Sequence, residues 1–305
     1  MKYFFAPIQG HTDAAYRYFH SKIYGCDLIY TTPFIRLEHN ALRPKDLKDL
    51  KSDLNQGLKL LPQIIFRDKK ELESLVDLIK KEGYKEIDLN MGCPFPLQTG
   101  HKRGAATVAN EELAKYVAEI ICNNPDIKFS VKIRLGMENE NDWKILLPYL
   151  NEVELTHLTV HPRIAKQQYG GELHLNQFEE ILKESKNPIV FNGDIKTPQE
   201  AKLIIEKYPT ISGIMIGRGA LGRPSIFNEI IKNEEFPEEN RIYEMKKMHS
   251  ELLDHYENVL CGDSQILSKI KPFWEYAENE IGRKAWKSII KAKTLPKYKT
   301  ALASI

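Results

Sequence analysis

The sequence predicts an α/β protein, a (β/α)8 TIM barrel followed by a small C-terminal helical bundle. Three observations predict it. Eight short apolar, β-rich runs precede residue 227, most of them followed by a stretch of helical spacing. A polar, acidic segment, Asn-Glu-Glu-Phe-Pro-Glu-Glu-Asn at 233–240, then interrupts the alternation. Beyond it only helical periodicity remains, with Tyr243, Met248, Leu252, Leu253, Tyr256 and Leu260 on one stripe.

The expected strands are residues 3–6, 28–31, 60–65, 86–89, 129–133, 158–160, 189–191 and 213–216. Between them, 68–82 places Leu72, Leu75, Val76 and Ile79 on one helical stripe, and 110–121 and 197–208 repeat the pattern. Thr197-Pro198 reads as a cap with proline at the first helical position, and Asn110-Glu111-Glu112 puts acids on a positive helix end. Eight such units match the ~250 residues usual for a closed barrel. An open doubly wound sheet is the alternative, since periodicity does not reveal closure. The expected domains are a barrel at 1–235 and a helical domain at 241–305.

With 28% charged residues and a mean hydropathy of −0.43, the composition is that of a soluble protein. No apolar run approaches the ~20 residues of a membrane helix, and the first seven residues do not form a secretory signal. Cys26, Cys93, Cys122 and Cys261 are scattered with no CxxC pair, as in a reducing compartment, so a cytoplasmic, monomeric protein is expected. The net charge of +2 conceals an asymmetry. Residues 241–305 hold 12 Lys/Arg against 8 Asp/Glu, and 283–305 hold seven basic residues and no acid. Arg283, Lys284 and Lys287 begin that run, with Trp274, Tyr276, Trp286 and Tyr298 interleaved. A solvated helix face explains this as well as a phosphate-neutralising patch with stacking aromatics does.

In a (β/α)8 barrel, chemistry sits where the strands end. Here the ends are polar: Pro7-Ile8-Gln9, Gln63 within the third run, Asn90, Lys132-Ile133-Arg134, His161-Pro162-Arg163, Asn192-Gly193-Asp194 and Gly217-Arg218-Gly219. Each has an ordinary structural explanation alone; their joint occurrence does not. Gly217-Arg218-Gly219-Ala220-Leu221-Gly222 matches G-x-G-x-x-G but follows the last strand, so it fits a barrel phosphate site better than a dinucleotide fingerprint. Lys132, covered on both faces of a parallel strand, must find a partner or shift its pKa. No HExxH, carboxylate cluster or cysteine pair is present, so no catalytic metal is expected. A phosphate-bearing cofactor near a lysine is flavin mononucleotide (FMN) or pyridoxal phosphate; the amides of Gln63 and Asn192 favour the flavin.

At these residues the sequence resembles the tRNA-dihydrouridine synthase family. The matching segments are Ala6-Pro7-Ile8-Gln9-Gly10-His11-Thr12-Asp13 with Arg17, Asn90-Met91-Gly92-Cys93-Pro94, Val131-Lys132-Ile133-Arg134-Leu135-Gly136, His161 with Arg163, Asn192-Gly193-Asp194, and Gly217 to Pro224. Pro162 and Ile164 stand where relatives often have Gly and Thr. The resemblance implies an FMN-containing barrel that reduces particular uridines in tRNA with NADPH. It implies Cys93 as proton donor and Asn90 as a contact to the target uracil. Pro7, Gln63, Lys132, His161, Asn192, Asp194, Gly217 and Arg218 are then expected at the flavin. Lys102 and Arg103, in the loop after Cys93, are expected at the RNA with Arg283, Lys284 and Lys287.

Overall fold

The alternation closes into a barrel in the computed structural model, which describes all residues from Met1 to Ile305. Its strands are β1 (Lys2–Phe5), β2 (Ile29–Thr31), β3 in two pieces (Lys59–Leu61 and Gln63–Ile64), β4 (Glu86–Met91), β5 (Lys128–Arg134), β6 (His157–His161), β7 (Ile189–Asn192) and β8 (Gly213–Ile216). Every barrel pairing is parallel, and the order runs β3-β2-β1-β8-β7-β6-β5-β4 and back to β3.

The run expected as one strand over 60–65 is broken at Pro62. Proline has no N–H to give the ladder, so the strand is interrupted there. Its carbonyl still accepts from the Asp88 N–H at 2.8 Å. The first piece pairs with β2 and the second with β4, so one broken strand joins both edges of the sheet. A short hairpin, Leu37–Glu38 with Ala41–Leu42, and a helix, Pro44–Leu50, stand between β2 and β3. Neither carries a sequence period long enough to be seen in advance.

The outer helices follow the anticipated stripes. Asp68 caps Lys69–Lys81 by accepting from the Glu71 N–H, and Leu72, Leu75, Val76 and Ile79 turn inward. Asn110 caps Glu111–Asn123, and Thr197 with Glu200 forms a capping box on Pro198–Lys207.

Side chains alternate along each strand, so neighbouring residues face opposite sides of the sheet. Phe5, Phe191, Ile214 and Ile216 join the large core under the helices, whereas Phe4, Ala6, Val190 and Met215 form a separate cluster inside the barrel. That apolar cluster covers only the β1, β7 and β8 side. On the other side the same parity aligns Gln63, Asp88, Ser130 and His157 in one layer, and Asn90, Lys132 and Thr159 in the next. The barrel interior thus has one greasy wall and one polar wall.

Past Asn233, a left-handed C-cap, the chain runs through four residues into the helix Glu238–Val259, so the expected linker is shorter than its sequence suggested. Asp263–Ile270, Arg283–Lys291 and Leu295–Leu302 complete the helical part. Its centre is Trp274, whose indole N–H donates to the Tyr298 hydroxyl at 3.0 Å, with His249 Nε2 2.6 Å from the same oxygen. Burial pushes His249 down to about 3, so the ring is neutral where it meets the tyrosine hydroxyl. Trp274 and Tyr298 are therefore core residues, which corrects their expected role as stacking platforms. Glu238–Val259 packs on the first barrel helix, Ala14–Tyr24, and Lys269 and Tyr256 both reach Asp13, at 2.8 and 3.2 Å. One hydrophobic core runs unbroken from the barrel into these helices. Trp274→Ala is expected to lower the unfolding free energy by ~3–5 kcal/mol, measurable as a shift in the urea midpoint at unchanged m-value.

Candidate active site at the barrel mouth

The carboxyl ends of the strands enclose a cavity of about 290 Å³. Of the residues expected to form a site, Pro7, Asn90, Cys93, Lys132, His161, Asn192, Asp194, Gly217 and Arg218 all line it. They come from six different strands, and closure of the sheet is what brings them together.

Cys93 sits in the turn after β4. The Asn90 side-chain oxygen accepts from the N–H groups of Gly92 and Cys93 at 3.1 and 2.9 Å, folding the loop back over the strand. Gly92 is required there, because a Cβ would lie 2.9 Å from the Ile133 carbonyl carbon of β5. Burial raises the Cys93 thiol, more than the nearby Arg134 and Lys132 lower it. It is therefore a thiol, not a thiolate, at neutral pH.

Lys132 is pushed down to about 8, chiefly by burial and then by Arg134. Its Nζ donates to Asn192 Oδ1 at 2.7 Å, and the Asn192 amide N–H donates to the Met215 carbonyl at 2.8 Å. That pair bridges the polar and apolar walls. His161 lies well below its usual range, again through burial first and then the surrounding cations. Arg163 Nη1 stands 3.3 Å from His161 Nε2; an arginine only donates, so Nε2 accepts and the ring proton is on Nδ1. Arg163 also grips Asp194 with two bonds, at 2.9 and 2.5 Å. Burial alone would raise Asp194, but the arginine contacts win and hold it below the usual carboxylate range. Asp194 has φ 45°, a left-handed conformation uncommon outside glycine, which the Arg163 fork holds in place.

Six expected residues lie elsewhere. Gln63 is fully buried below the cavity, its amide spent on Asp88 and Asn90 at 2.7 Å each. Arg103 points away from solvent and forms a buried pair with Glu71, with Nε–Oε2 at 3.1 Å. Lys102 is exposed on the loop but does not line the cavity. Arg283, Lys284 and Lys287 are exposed on one helix. That helix touches the site indirectly: the Trp286 indole donates to the Trp274 carbonyl at 2.9 Å, one residue before the cavity-lining pair Glu275 and Tyr276.

Sequence reasoning missed several lining residues. Arg134 had a signal, being two positions after Lys132 and so on the same face. Tyr169 lies between the guanidinium groups of Arg218 and Arg134, 4.1 and 5.3 Å from its ring centre. Glu275 and Tyr276 come from the helical part; Tyr276 is one of the interleaved aromatics, but nothing local marks either as lining this cavity.

A closed barrel with a cation-rich mouth, a glycine-flanked turn after β8 and a buried thiol beside it defines a (β/α)8 protein with a polar cavity at its carboxyl end. The family model for dihydrouridine synthase matches residues 4–304, and the chain belongs to that family. It is 29% identical over 226 residues to tRNA-dihydrouridine synthase B of Shewanella oneidensis, covering 74% of this chain and 69% of that protein. Against the Yersinia pestis protein of the same name it is 31% identical over 169 residues, or 55% of this chain and 52% of that one. The chain thus aligns with about half to somewhat over two thirds of these relatives' length. Among solved structures, histamine dehydrogenase from Rhizobium sp. 4-9 superposes with a TM-score of 0.56 at 12% identity, covering 76% of this chain and 46% of that one. Morphinone reductase gives 0.52 at 9%, covering 77% and 88%. These two likenesses show the fold alone.

Because both partners of the Arg103–Glu71 pair are buried, Arg103→Ala is expected to cost ~3 kcal/mol of stability by leaving Glu71 uncompensated. Thermal unfolding of the variant reads this directly.

Proposed function

We propose that the protein is an FMN-dependent, NADPH-driven tRNA-dihydrouridine synthase, in which Cys93 donates the proton that completes reduction of a uracil ring. The observation that carries this reading is a protonated, buried thiol opening into the same cavity as a cationic, glycine-flanked anion site.

The residues present fit a flavin phosphate. Gly219 lets the β7 and β8 turns meet, since a Cβ there would lie 2.0 Å from the Ile195 carbonyl oxygen. The N–H groups of Arg218 and Gly219, in the first turn of their helix, have no partner within it. They border the cavity beside Gly193 and the Arg218 side chain, a set that suits a phosphate. Lys132, Asn192 and His161 would then lie toward the ring. A bound flavin supplies hydride to C6 of the uracil.

The chain's own residues do the remainder. Charge from that addition builds toward C5 and O4, and an acid must reach C5. The Cys93 S–H gives its proton there, and Lys132 and Arg134 stabilise the thiolate left behind. A neutral His161 neither competes as an acid near pH 7 nor adds another buried charge beside Lys132. The uridine must leave its stack to enter. We assign its capture to the helical part, 241–305, through the exposed face of Arg283, Lys284 and Lys287, and catalysis to the barrel, 1–235.

Cys93→Ala is expected to keep bound flavin, seen in its visible absorbance, and to oxidise NADPH. Dihydrouridine formation should fall ~10²–10⁴-fold; a near-normal yield would remove Cys93 from this role. Neutralising Arg283, Lys284 and Lys287 together should weaken tRNA binding and reduce the slope of log Kd against log salt by roughly 2–3. Filter binding over a salt series measures it, and a salt-insensitive wild type would count against RNA capture by this face.

A further inference from the structure

Beneath the cavity a carboxylate and two amides form a chain that the chemistry above does not use. We propose that Asp88 is a positioning residue: through Gln63 it orients the Asn90 amide, which holds the Cys93 turn and offers an N–H donor to the substrate ring. This rests on the reading of the cavity as a uracil-reducing site.

Direction is imposed from both ends. Burial raises Asp88 more than its bonds from Ser130 and Gln63 lower it, and its Oδ2 accepts from the Gln63 NH2 at 2.7 Å. Gln63 Oε1 is then left to accept from Asn90 Nδ2, at 2.7 Å. At the far end the backbone N–H groups of Gly92 and Cys93 only donate, so the Asn90 atom they reach is its oxygen. The two ends demand the same arrangement, and no amide in the chain can turn over without setting donor against donor. Asn90 therefore has one amide hydrogen committed to Gln63 and one remaining, on a side chain that lines the cavity. A donor there matches a carbonyl oxygen of uracil, where charge develops as the ring is reduced.

Asp88 is fully buried and anchored by Ser130 Oγ at 2.5 Å. The β1, β7 and β8 side of the interior is filled with apolar side chains, so a carboxylate is not the only way to fill this barrel. Asp88 does not line the cavity; its hydrogen-bonded route to the Cys93 turn runs through Gln63 and Asn90, and its charge also acts on Lys132, which does line the cavity.

The test uses the holoenzyme with four variants: Gln63→Met, Asp88→Leu, the two combined, and Asp88→Asn, which still presents an oxygen to Gln63. Two rates are measured, dihydrouridine formation on tRNA and alkylation of Cys93 by iodoacetamide, located by peptide mass. Gln63→Met and Asp88→Leu should each slow product formation ~10–100-fold and alter Cys93 alkylation. The double variant should be no slower than the worse single one, because links in series do not add. Asp88→Asn should stay within several-fold of wild type. Losses that multiply in the double variant, or wild-type rates at both readouts in Gln63→Met, overturn the proposal. Gln63→Met keeps the side-chain volume, so it decides the matter alone if Asp88→Leu does not fold. A wild-type protein that makes no dihydrouridine overturns the functional reading instead, and the alkylation rates still test the positioning.

Discussion

Closure of the sheet through one broken strand is the constraint on which the rest of this molecule depends. Pro62 interrupts the third strand, yet its two pieces pair with β2 on one side and β4 on the other. Without that joint the sheet would have two edges, and Asn90 and Cys93, at and just past the end of β4, would not share a mouth with Gly217 and Arg218, just past β8. Closure also forces every second side chain inward, where no water can satisfy it. The interior is therefore favoured as apolar or paired: one wall here is apolar, and the other is largely paired, with His157 Nε2 and Thr159 Oγ1 left without a partner.

The polar wall has electrostatic consequences. Lys132, Arg134, Arg163 and Arg218 lie close enough to depress one another or the histidine between them. Burial and mutual repulsion hold Lys132 near 8 and keep His161 neutral. Asp194 is the acidic counterweight, and Arg163 claims most of it. What remains is a surplus of positive charge facing the cavity, suited to an anionic group, beside a thiol that burial keeps protonated. In the proposed reading, this one small site both holds an anion and gives up a proton.

The helical part does more than sit beside the barrel. It is tied to the start of the first barrel helix through Asp13 and contributes Glu275 and Tyr276 to the cavity wall. His11, at the end of the first βα loop, meets Glu275 at 2.9 Å. In the proposed reading, a base delivered by the helices enters a cavity that those same helices help to bound.

Much of this was legible in the sequence. Strand and helix periods, the helix starts at Asn110 and Thr197, and the polar residues at the strand ends are local signals, and the backbone obeys them because they act over a few residues. Arg103 and Trp274 show the limit. A basic residue after a loop cysteine, or a tryptophan in a lysine-rich stretch, looks the same in sequence whether it faces solvent or a buried partner. Glu71 lies 32 residues from Arg103, and Tyr298 lies 24 from Trp274. Gln63 lies on the expected strand, one layer below the Asn90 and Lys132 that line the cavity. The sequence by itself determined the barrel class and most of the residues at its mouth. Tertiary structure alone decided which of them face the cavity, because depth in the barrel and the choice of partner depend on strand register and closure across distant segments.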